Sequence, residues 1–292
     1  MALVSSLTPF IIAVICICLA ALWRNKRKAK GERKVETEES VSSRPWADED
    51  LRDETELSVE EMECKDQCLE NDSEVQHIQY SPKRYPEDEM IRRANGFYQL
   101  MNERRSVRFF SEEMVPREVI DSIIRTAGTA PSGAHTEPWT FVVVQDPVTK
   151  HQIREIIEEE EEMNYMKRMG KKWVSDIKQL RTNWIKDYLD TAPYLILIFK
   201  QVYGILPTGK KTHYYNEISV SISCGILLAA LQNAGLVTVT TTPLNCGPRV
   251  HFILGRPVNE KLLLLLPVGY PAKSATVPGF KRKPLDEIMM FV

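Results

Sequence analysis

Hydrophobic and polar positions divide this 292-residue chain into three zones. Residues 7–23 are almost all apolar and uncharged, and with the residues before them they approach the roughly 20 residues that a helix needs to cross a bilayer. The next zone is acidic and lacks apolar periodicity, which is typical of a disordered tether. We therefore predict a transmembrane anchor at 1–24, an acidic flexible linker at 25–84 and one folded domain at 85–292.

The charge beside the apolar stretch indicates how the chain is oriented. Basic residues follow the stretch and none precedes it: Arg24, Lys26, Arg27, Lys28 and Lys30. A cleaved signal peptide carries basic residues before its apolar run, so a retained anchor is favoured, with a signal peptide ending near residue 20 or 21 as the alternative. Because basic flanks stay cytoplasmic, we expect a single-pass protein of the plasma membrane or a vesicle membrane with its large domain in the cytosol.

Helical and strand periods alternate through the folded domain. Helices are predicted at 89–103, 117–127, 151–169, 172–189 and 249–254, and strands at 140–144, 194–199, 236–240 and 262–267. The stretch 216–234 is apolar on nearly every face, so it should be a central helix or lie in a subunit interface. This order predicts an α+β domain with helices on both sides of a mixed sheet.

Composition narrows the classes of function. The formal net charge of −2 argues against a nucleic-acid-binding protein. The six cysteines are dispersed, and Cys64 and Cys68 lack a second pair of ligands, so we expect free thiols and no metal site. The chain has no Gly-x-Gly-x-x-Gly fingerprint for a dinucleotide.

Two short segments carry candidate chemistry. Arg104, Arg105 and Arg108 are too dense for ordinary ion pairing, and guanidinium groups match phosphate oxygens bidentately. In the segment 131–139, a Ser-Gly-Ala turn would expose backbone N–H groups and let a planar ring approach the main chain. Taken alone, the first could be a solvated basic patch and the second an ordinary turn.

Together these segments resemble the FMN-dependent nitroreductase family. The resemblance runs from about residue 85 to the C-terminus and rests on residues 104–108, 127–135, 161–168, 183–186 and 240–245. It implies a nitroreductase-like three-layer fold and an intertwined homodimer, with FMN at the interface and C-terminal segments that embrace the partner. The N-terminal membrane anchor would be an addition to that fold.

The resemblance also assigns cofactor residues. The residues implied to hold FMN are Arg104, Arg105, Ser106, Val107, Arg108, Pro131, Ser132, Thr240, Thr241, Thr242 and Arg282. Thr242 is expected to have a catalytic role, with its hydroxyl bonded to the central-ring nitrogen of the flavin. From β-propensity alone, the threonine run would be ordinary strand residues. His135 lies in the flavin turn, and a structural role is at least as well supported as a catalytic one.

A second set of residues would recognise an amino-acid substrate, which presents an ammonium, a carboxylate and an aromatic ring. Glu161 and Tyr165 are four residues apart and share one helix face. By the resemblance, Glu161 pairs with the ammonium, Lys186 with the carboxylate, Tyr165 donates a hydrogen bond, and the Ala134 N–H meets the phenolate oxygen. An acidic run such as 158–162 can also be a plain solvated face.

The implied activity is reductive removal of iodide from mono- and diiodotyrosine by reduced FMN, with NADPH as the ultimate electron donor. Electrons would arrive by direct hydride transfer or through a separate NADPH-dependent reductase. The alternatives are a general FMN-dependent nitro or quinone reductase, which needs no site for a zwitterion, and a membrane-tethered flavin-binding carrier.

Overall fold

A computed structural model of the chain describes residues 75–207 and 209–292. Within those two ranges, no helix combines the length and the apolar character that crossing a bilayer requires. The predicted anchor at 1–24 and most of the predicted linker lie outside the described residues. The end of that linker, 75–84, is exposed and forms neither helix nor strand.

The domain is built on a sheet of four strands in the order β1-β2-β6-β5, with a separate two-stranded hairpin of β3 and β4. The strands are β1 Trp139–Val144, β2 Tyr194–Gln201, β3 Tyr203–Leu206, β4 Gly209–Thr212, β5 Val237–Thr238 and β6 Glu260–Gly269. All three strand pairs of the large sheet are antiparallel. Among the described residues, a parallel pairing occurs only in the bridge between Ser106 and Thr238, so the expected mixed sheet is mixed through that bridge alone.

Seven α-helices surround the sheet within the described part of the chain. They are α1 Glu87–Asn102, α2 Arg117–Ala127, α3 Pro147–Met163, α4 Gly170–Lys178, α5 Tyr188–Thr191, α6 Asn216–Asn233 and α7 Gly247–Ile253. A π-helical turn, Asn164–Arg168, links α3 to α4, and short 3-10 turns occupy Gly133–His135 and Leu285–Glu287. Asp146 caps α3, since its carboxylate accepts the Thr149 N–H at 2.8 Å.

Strand β2 shows why the fold has three layers. Its side chains alternate between two hydrophobic clusters because successive residues of a strand point to opposite faces. Tyr194, Ile196 and Ile198 pack with α2 and α6, whereas Leu195, Leu197 and Phe199 pack with α3, α5 and α7. The prediction of helices on both sides of the sheet is therefore confirmed.

Helix α6 has two apolar faces. One face packs on the sheet through Val220, Cys224 and Leu227, all of them buried. The other face carries Ile218 and Ile222, which are 61% and 43% exposed. The prediction of a central helix is confirmed, and the second apolar face is open in the single chain.

The predicted helix at 172–189 is wrong in its second half. Helix α4 ends at Lys178, and Arg181 adopts a left-handed φ of 50°. The Asn183 side chain then accepts the Ile185 N–H at 3.0 Å, which is an Asx turn that competes with helix. The chain becomes helical again only in the single turn α5.

The strand prediction at 236–240 is too long, and the β3–β4 hairpin was not predicted. Strand β5 ends at Thr238. The hairpin escapes a periodicity argument because β4 is Gly-Lys-Lys-Thr and is exposed throughout, so it has no apolar face that alternates.

His213 predicts a pH dependence of stability. The residue is 3% exposed, neither ring nitrogen has a hydrogen-bond partner among the described residues, and burial, followed by nearby Lys211, lowers its pKa. A folded-state pKa below the ordinary value of about 6.5 means that acidification favours the unfolded chain, which binds the proton more readily. This stability contribution is present above pH 6.5 and is lost as the pH falls through the folded pKa.

We expect His213→Gln to flatten the decrease in thermal unfolding temperature between about pH 7 and pH 5. The measurement is thermal unfolding by circular dichroism across that range. His77→Gln, at an exposed position, is the matched control and should keep the wild-type slope. A His213→Gln slope equal to that of the wild type would contradict the assignment.

Candidate active site

The predicted phosphate-binding residues line one cavity of about 650 Å³. They are Arg104, Arg105, Ser106, Arg108 and Arg282. Arg282 is held at the end of α1 and just beyond it, because its Nε donates to the Asn102 side chain at 2.9 Å and its Nη2 donates to the Arg104 carbonyl at 2.9 Å. Residues distant in sequence, all from this one chain, therefore form a single basic pocket.

The charge of this cavity is uncompensated within the described part of the chain. None of the four arginines forms an ion pair with a described carboxylate, and Lys281 and Lys283 also line the cavity. Burial lowers the pKa of Arg104, and the nearby Arg282 and Arg105 lower it further. Guanidinium groups held together without a carboxylate favour a bound dianion such as a phosphate group, so the residues present fit the phosphate end of FMN.

Val107 and the threonines at 240–242 differ in how far their side chains are exposed to solvent. The Val107 side chain is buried, and its N–H donates to the Thr238 carbonyl at 3.0 Å, which ties the arginine segment to β5. The Thr241 hydroxyl donates to a carbonyl of β6 at 2.8 Å. Thr240 and Thr242 are exposed. None of the three threonines lines the basic cavity, so the assignment of Thr242 to the flavin stays a prediction.

The turn after α2 is tightly constrained. Ala134, His135 and Glu137 all have left-handed φ values, of 49°, 52° and 48°. A Cβ atom at Gly133 would lie 2.8 Å from the Tyr214 carbonyl oxygen, so only glycine fits against the start of α6. Strained backbone of this kind clusters at ligand sites, where the surrounding structure maintains it.

The predicted flavin residues of this turn, Pro131 and Ser132, do not line the basic cavity, and neither does Ala134, which was assigned to the substrate. Pro131 and Ala134 are exposed, and the Ser132 hydroxyl accepts the Glu137 N–H at 3.0 Å. Within one chain, the turn residues therefore contribute nothing to the lining of the basic cavity.

Glu161 and Lys186, the two charged residues assigned to the substrate, lie close together. Lys186 Nζ lies 3.6 Å from Glu161 Oε2, and the two side chains are only 8% and 15% exposed. Lys186 Nζ also donates to the Asn183 carbonyl. Burial lowers the pKa of Lys186, and Glu161 opposes that effect. One cation and one anion are therefore held in a site largely shielded from water.

The Tyr165 ring lies beside the Glu161–Lys186 pair. It lies in the π-helical turn after α3, and its ring packs edge-on against Trp173 and Trp184 at centroid distances of 4.9 and 5.8 Å. Lys186 Nζ is 5.7 Å from the Tyr165 ring centroid. Burial, aided by Glu161, raises the pKa of Tyr165 to about 12. At neutral pH its hydroxyl is therefore protonated and able to donate a hydrogen bond.

Arg108 joins the basic cavity to this cluster. It lines the basic cavity, and its charge opposes the rise in the pKa of Tyr165 and of Tyr188 and adds to the lowering of the pKa of Lys186. It also lines an adjoining cavity of about 300 Å³, together with Tyr188 and Asn183. Arg108 thus lines both cavities.

Sequence reasoning missed several residues around this cluster. Trp173 and Trp184 pack on Tyr165, and Tyr188 is near Arg108. Asn164 is 1% exposed, and its amide donates to Glu161 at 3.4 Å. Asn164 precedes Tyr165 directly in the sequence, and this position could have identified it as a neighbour of the site. The contact of Trp173 with Tyr165 could not be found in this way, because it depends on the turn between α3 and α4, which the periodicity did not predict.

The described cysteines are structural. Cys224 and Cys246 are both buried, and burial raises the pKa of Cys224 to about 11, which opposes formation of a thiolate nucleophile. Across 75–207 and 209–292, no group of three or more potential metal-ligating side chains is found.

Comparison with known proteins now defines the class. The model of the nitroreductase family matches residues 101–270, and the chain belongs to that family. It is 64% identical to iodotyrosine deiodinase 1 of Homo sapiens over 287 residues, which cover 98% of this chain and 99% of the human protein. It is 62% identical to the iodotyrosine deiodinase of Danio rerio over 296 residues, covering 100% of both chains.

Solved structures agree with the fold. A crystal structure of oxidized iodotyrosine deiodinase bound to FMN and 3-iodo-L-tyrosine superposes with a TM-score of 0.56 at 33% identity, covering 65% of this chain and 96% of that one. A BluB-like flavoprotein of Clostridium difficile gives a TM-score of 0.53 at 22% identity, covering 67% of this chain and 98% of the other. The predicted α+β nitroreductase-like fold and family membership are confirmed.

Proposed function

We propose that this enzyme removes iodide reductively from mono- and diiodotyrosine, with FMN as its cofactor. The observation that carries the proposal is the Glu161–Lys186 pair, with side chains 15% and 8% exposed, beside the Tyr165 ring. Arg108 lines both the basic cavity and a second cavity that Asn183 and Tyr188 also line. A general nitroreductase substrate has no ammonium or carboxylate, so it would need no such pair. The relatives that share 62–64% of this sequence over nearly its whole length are iodotyrosine deiodinases.

Each substrate group has a counterpart in the chain. The Glu161 carboxylate would bind the ammonium and Lys186 Nζ the carboxylate, so the substrate would enter between two side chains that otherwise face each other at 3.6 Å. The protonated Tyr165 hydroxyl would donate a hydrogen bond and, with its tryptophan neighbours, exclude water from the iodinated ring. The Ala134 N–H would bind the phenolate oxygen.

The cofactor would be held mainly through charge. Arg104, Arg105, Arg108 and Arg282 would bind the phosphate end of FMN, and Ser106 would add a hydroxyl donor. Thr242, which is exposed at the end of its run, would hydrogen-bond the flavin ring. When bound and reduced, FMN supplies two electrons. In the net reaction the carbon–iodine bond breaks, iodide leaves with the bonding pair, and the two electrons and a proton form the new carbon–hydrogen bond.

The test uses the full chain in detergent, reconstituted with FMN, reduced anaerobically with dithionite and mixed with 3-iodotyrosine. We expect flavin reoxidation together with one iodide released per reduced flavin. A flavin that stays reduced with iodotyrosine, but is reoxidised by a nitroaromatic or a quinone, would overturn this function and favour a general reductase. Bound FMN without turnover of any acceptor would favour a carrier.

We also propose that the enzyme is an intertwined homodimer. Within one chain, Ser132 and Ala134 do not reach the basic cavity, so a second copy would have to bring the two halves of the FMN site together. The exposed Ile218 and Ile222 of α6, and Ile288 and Phe291 near the C-terminus, offer apolar surface for that contact. A monomeric mass by light scattering of the FMN-loaded protein would contradict this assembly.

The membrane anchor at 1–24 and the linker at 25–84 are part of the same proposal. Their support is the apolar stretch 7–23 with its basic flank. We further propose that NADPH is the ultimate electron donor and acts through a separate reductase. Rapid reduction of the purified enzyme by NADPH alone would contradict the need for that partner.

A further inference from the structure

Glu158 contacts the backbone of Lys186. It lies on α3 one turn before Glu161, and its Oε1 accepts the Lys186 N–H at 2.6 Å. The same oxygen accepts from Arg154 Nε at 2.7 Å. Arg154, Glu158, Glu161 and Tyr165 follow a helical spacing that places them on one side of α3 and its continuation. The side of the helix that carries the zwitterion residues therefore also binds the main chain of the lysine.

Arg154 extends this connection past Lys186. Its Nη1 donates to Asp190 Oδ2 at 2.9 Å, and its Nη2 bonds to Asp187. The Arg154 side chain is only 19% exposed. One guanidinium thus links α3 to both the residue after Lys186 and the residue four positions after it.

The segment around Lys186 depends on these contacts. Residues 182–187 lie between α4 and α5 and belong to neither helix nor strand. The Lys186 N–H therefore has no helical or ladder partner, and the Glu158 carboxylate takes that place. The Glu158 side chain is 23% exposed, so this charge-assisted bond to the backbone is partly buried and is stronger than a fully exposed ion pair, which contributes little.

We propose that Glu158, oriented by Arg154, is a positioning residue that fixes the main chain at Lys186 so that its ammonium faces Glu161. The inference rests on the proposed function, in which Lys186 binds the substrate carboxylate. Glu158 itself touches the lysine backbone and Arg154, and it acts on the substrate only through Lys186. Its loss should weaken iodotyrosine binding, with little effect on the chemical step and none on FMN.

The experiment compares Glu158→Ala with the wild type in the full, FMN-loaded chain. We expect the KM for 3-iodotyrosine to rise about tenfold to hundredfold while kcat stays within about threefold, since lost ground-state binding raises KM alone. Glu158→Gln keeps an oxygen acceptor for the Lys186 N–H and should recover most of the affinity. Glu162→Ala removes the same charge from an exposed position on the same helix and should leave both constants unchanged.

A double-mutant cycle separates positioning from general structural damage. The Kd of 3-iodotyrosine for the oxidised enzyme is measured by flavin fluorescence in Glu158→Ala, Lys186→Ala and the double variant. If Glu158 acts through Lys186, its loss should add less than about threefold once Lys186 is absent. The positioning role would be overturned if the Kd increases of the two single variants multiply in the double variant. Loss of FMN from Glu158→Ala, or an unchanged KM in that variant, would also overturn it.

Failure of the proposed function is a different result. Wild-type enzyme that neither binds nor deiodinates 3-iodotyrosine would overturn both proposals. If the wild type deiodinates 3-iodotyrosine and Glu158→Ala has the same KM, only the role of Glu158 would be overturned.

Discussion

Replacing Lys186 by alanine should weaken binding of 3-iodotyrosine by roughly 2–4 kcal/mol, because the substrate carboxylate would be buried without its cation. That energy corresponds to about a 30- to 700-fold increase in Kd. The side chain is 8% exposed, so water cannot easily replace the ammonium. Glu161→Gln should have an effect of the same size by leaving the substrate ammonium without an anion. In both variants FMN should stay bound.

The measurement is titration of oxidised, FMN-loaded protein with 3-iodotyrosine, followed by flavin fluorescence, with the FMN content determined by absorbance. Lys178→Ala is the matched control. Lys178 is exposed at the end of α4, and its replacement removes an equal charge from the same region. If Lys186→Ala or Glu161→Gln loses FMN, or binds 3-iodotyrosine as tightly as the control does, the residue replaced in that variant does not bind the substrate.

The parts of the fold that the sequence predicts are those in which one element buries one regular face. In α2, Ile120, Ile123 and Ala127 repeat at helical spacing and are all buried. Strand β2 is an apolar run that helices cover on both faces of the sheet, so its length and composition were enough to predict a buried strand. These elements were predicted correctly because their local pattern and their tertiary burial agree.

The errors lie where long-range contacts or local side-chain bonds override periodicity. After Lys178 the spacing of apolar residues still suits a helix, but the Asn183 turn and the Glu158 bond to Lys186 hold the chain in another path. A helix through that region would point Lys186 in a direction set by helical geometry. The irregular path instead brings it to Glu161, which is one reason why functional segments depart from sequence rules.

In the site, too, local sequence patterns were predicted and contacts between distant parts of the chain were not. The arginine segment and the Glu161–Tyr165 spacing are local, so their chemistry was visible in the sequence. The contribution of Arg282 to the same cavity came only from the family resemblance, because no local pattern relates it to Arg104. The bridge from Ser106 to Thr238, which sets the arginine segment beside β5, likewise depends on tertiary structure.

Replacing Arg108 by alanine should release the flavin. Arg108 is the guanidinium that lines both the basic cavity and the adjoining cavity beside Tyr188, so it lies where the cofactor and substrate sites meet. Hydrogen bonds to charged groups contribute about 1.5–3 kcal/mol each, which predicts an FMN Kd about 10- to 150-fold higher. Activity at limiting FMN should fall accordingly and recover in excess FMN.

This result would separate cofactor recognition from substrate recognition, since Lys186→Ala should keep its flavin and Arg108→Ala should lose it. FMN affinity is measured by quenching of free flavin fluorescence on titration with apoprotein. Arg125→Ala is the matched control, because Arg125 is exposed on α2 and lines neither cavity. If Arg108→Ala retains FMN as well as this control does, the basic cavity does not bind the cofactor through Arg108. The phosphate would then have to depend on Arg104, Arg105 and Arg282 alone.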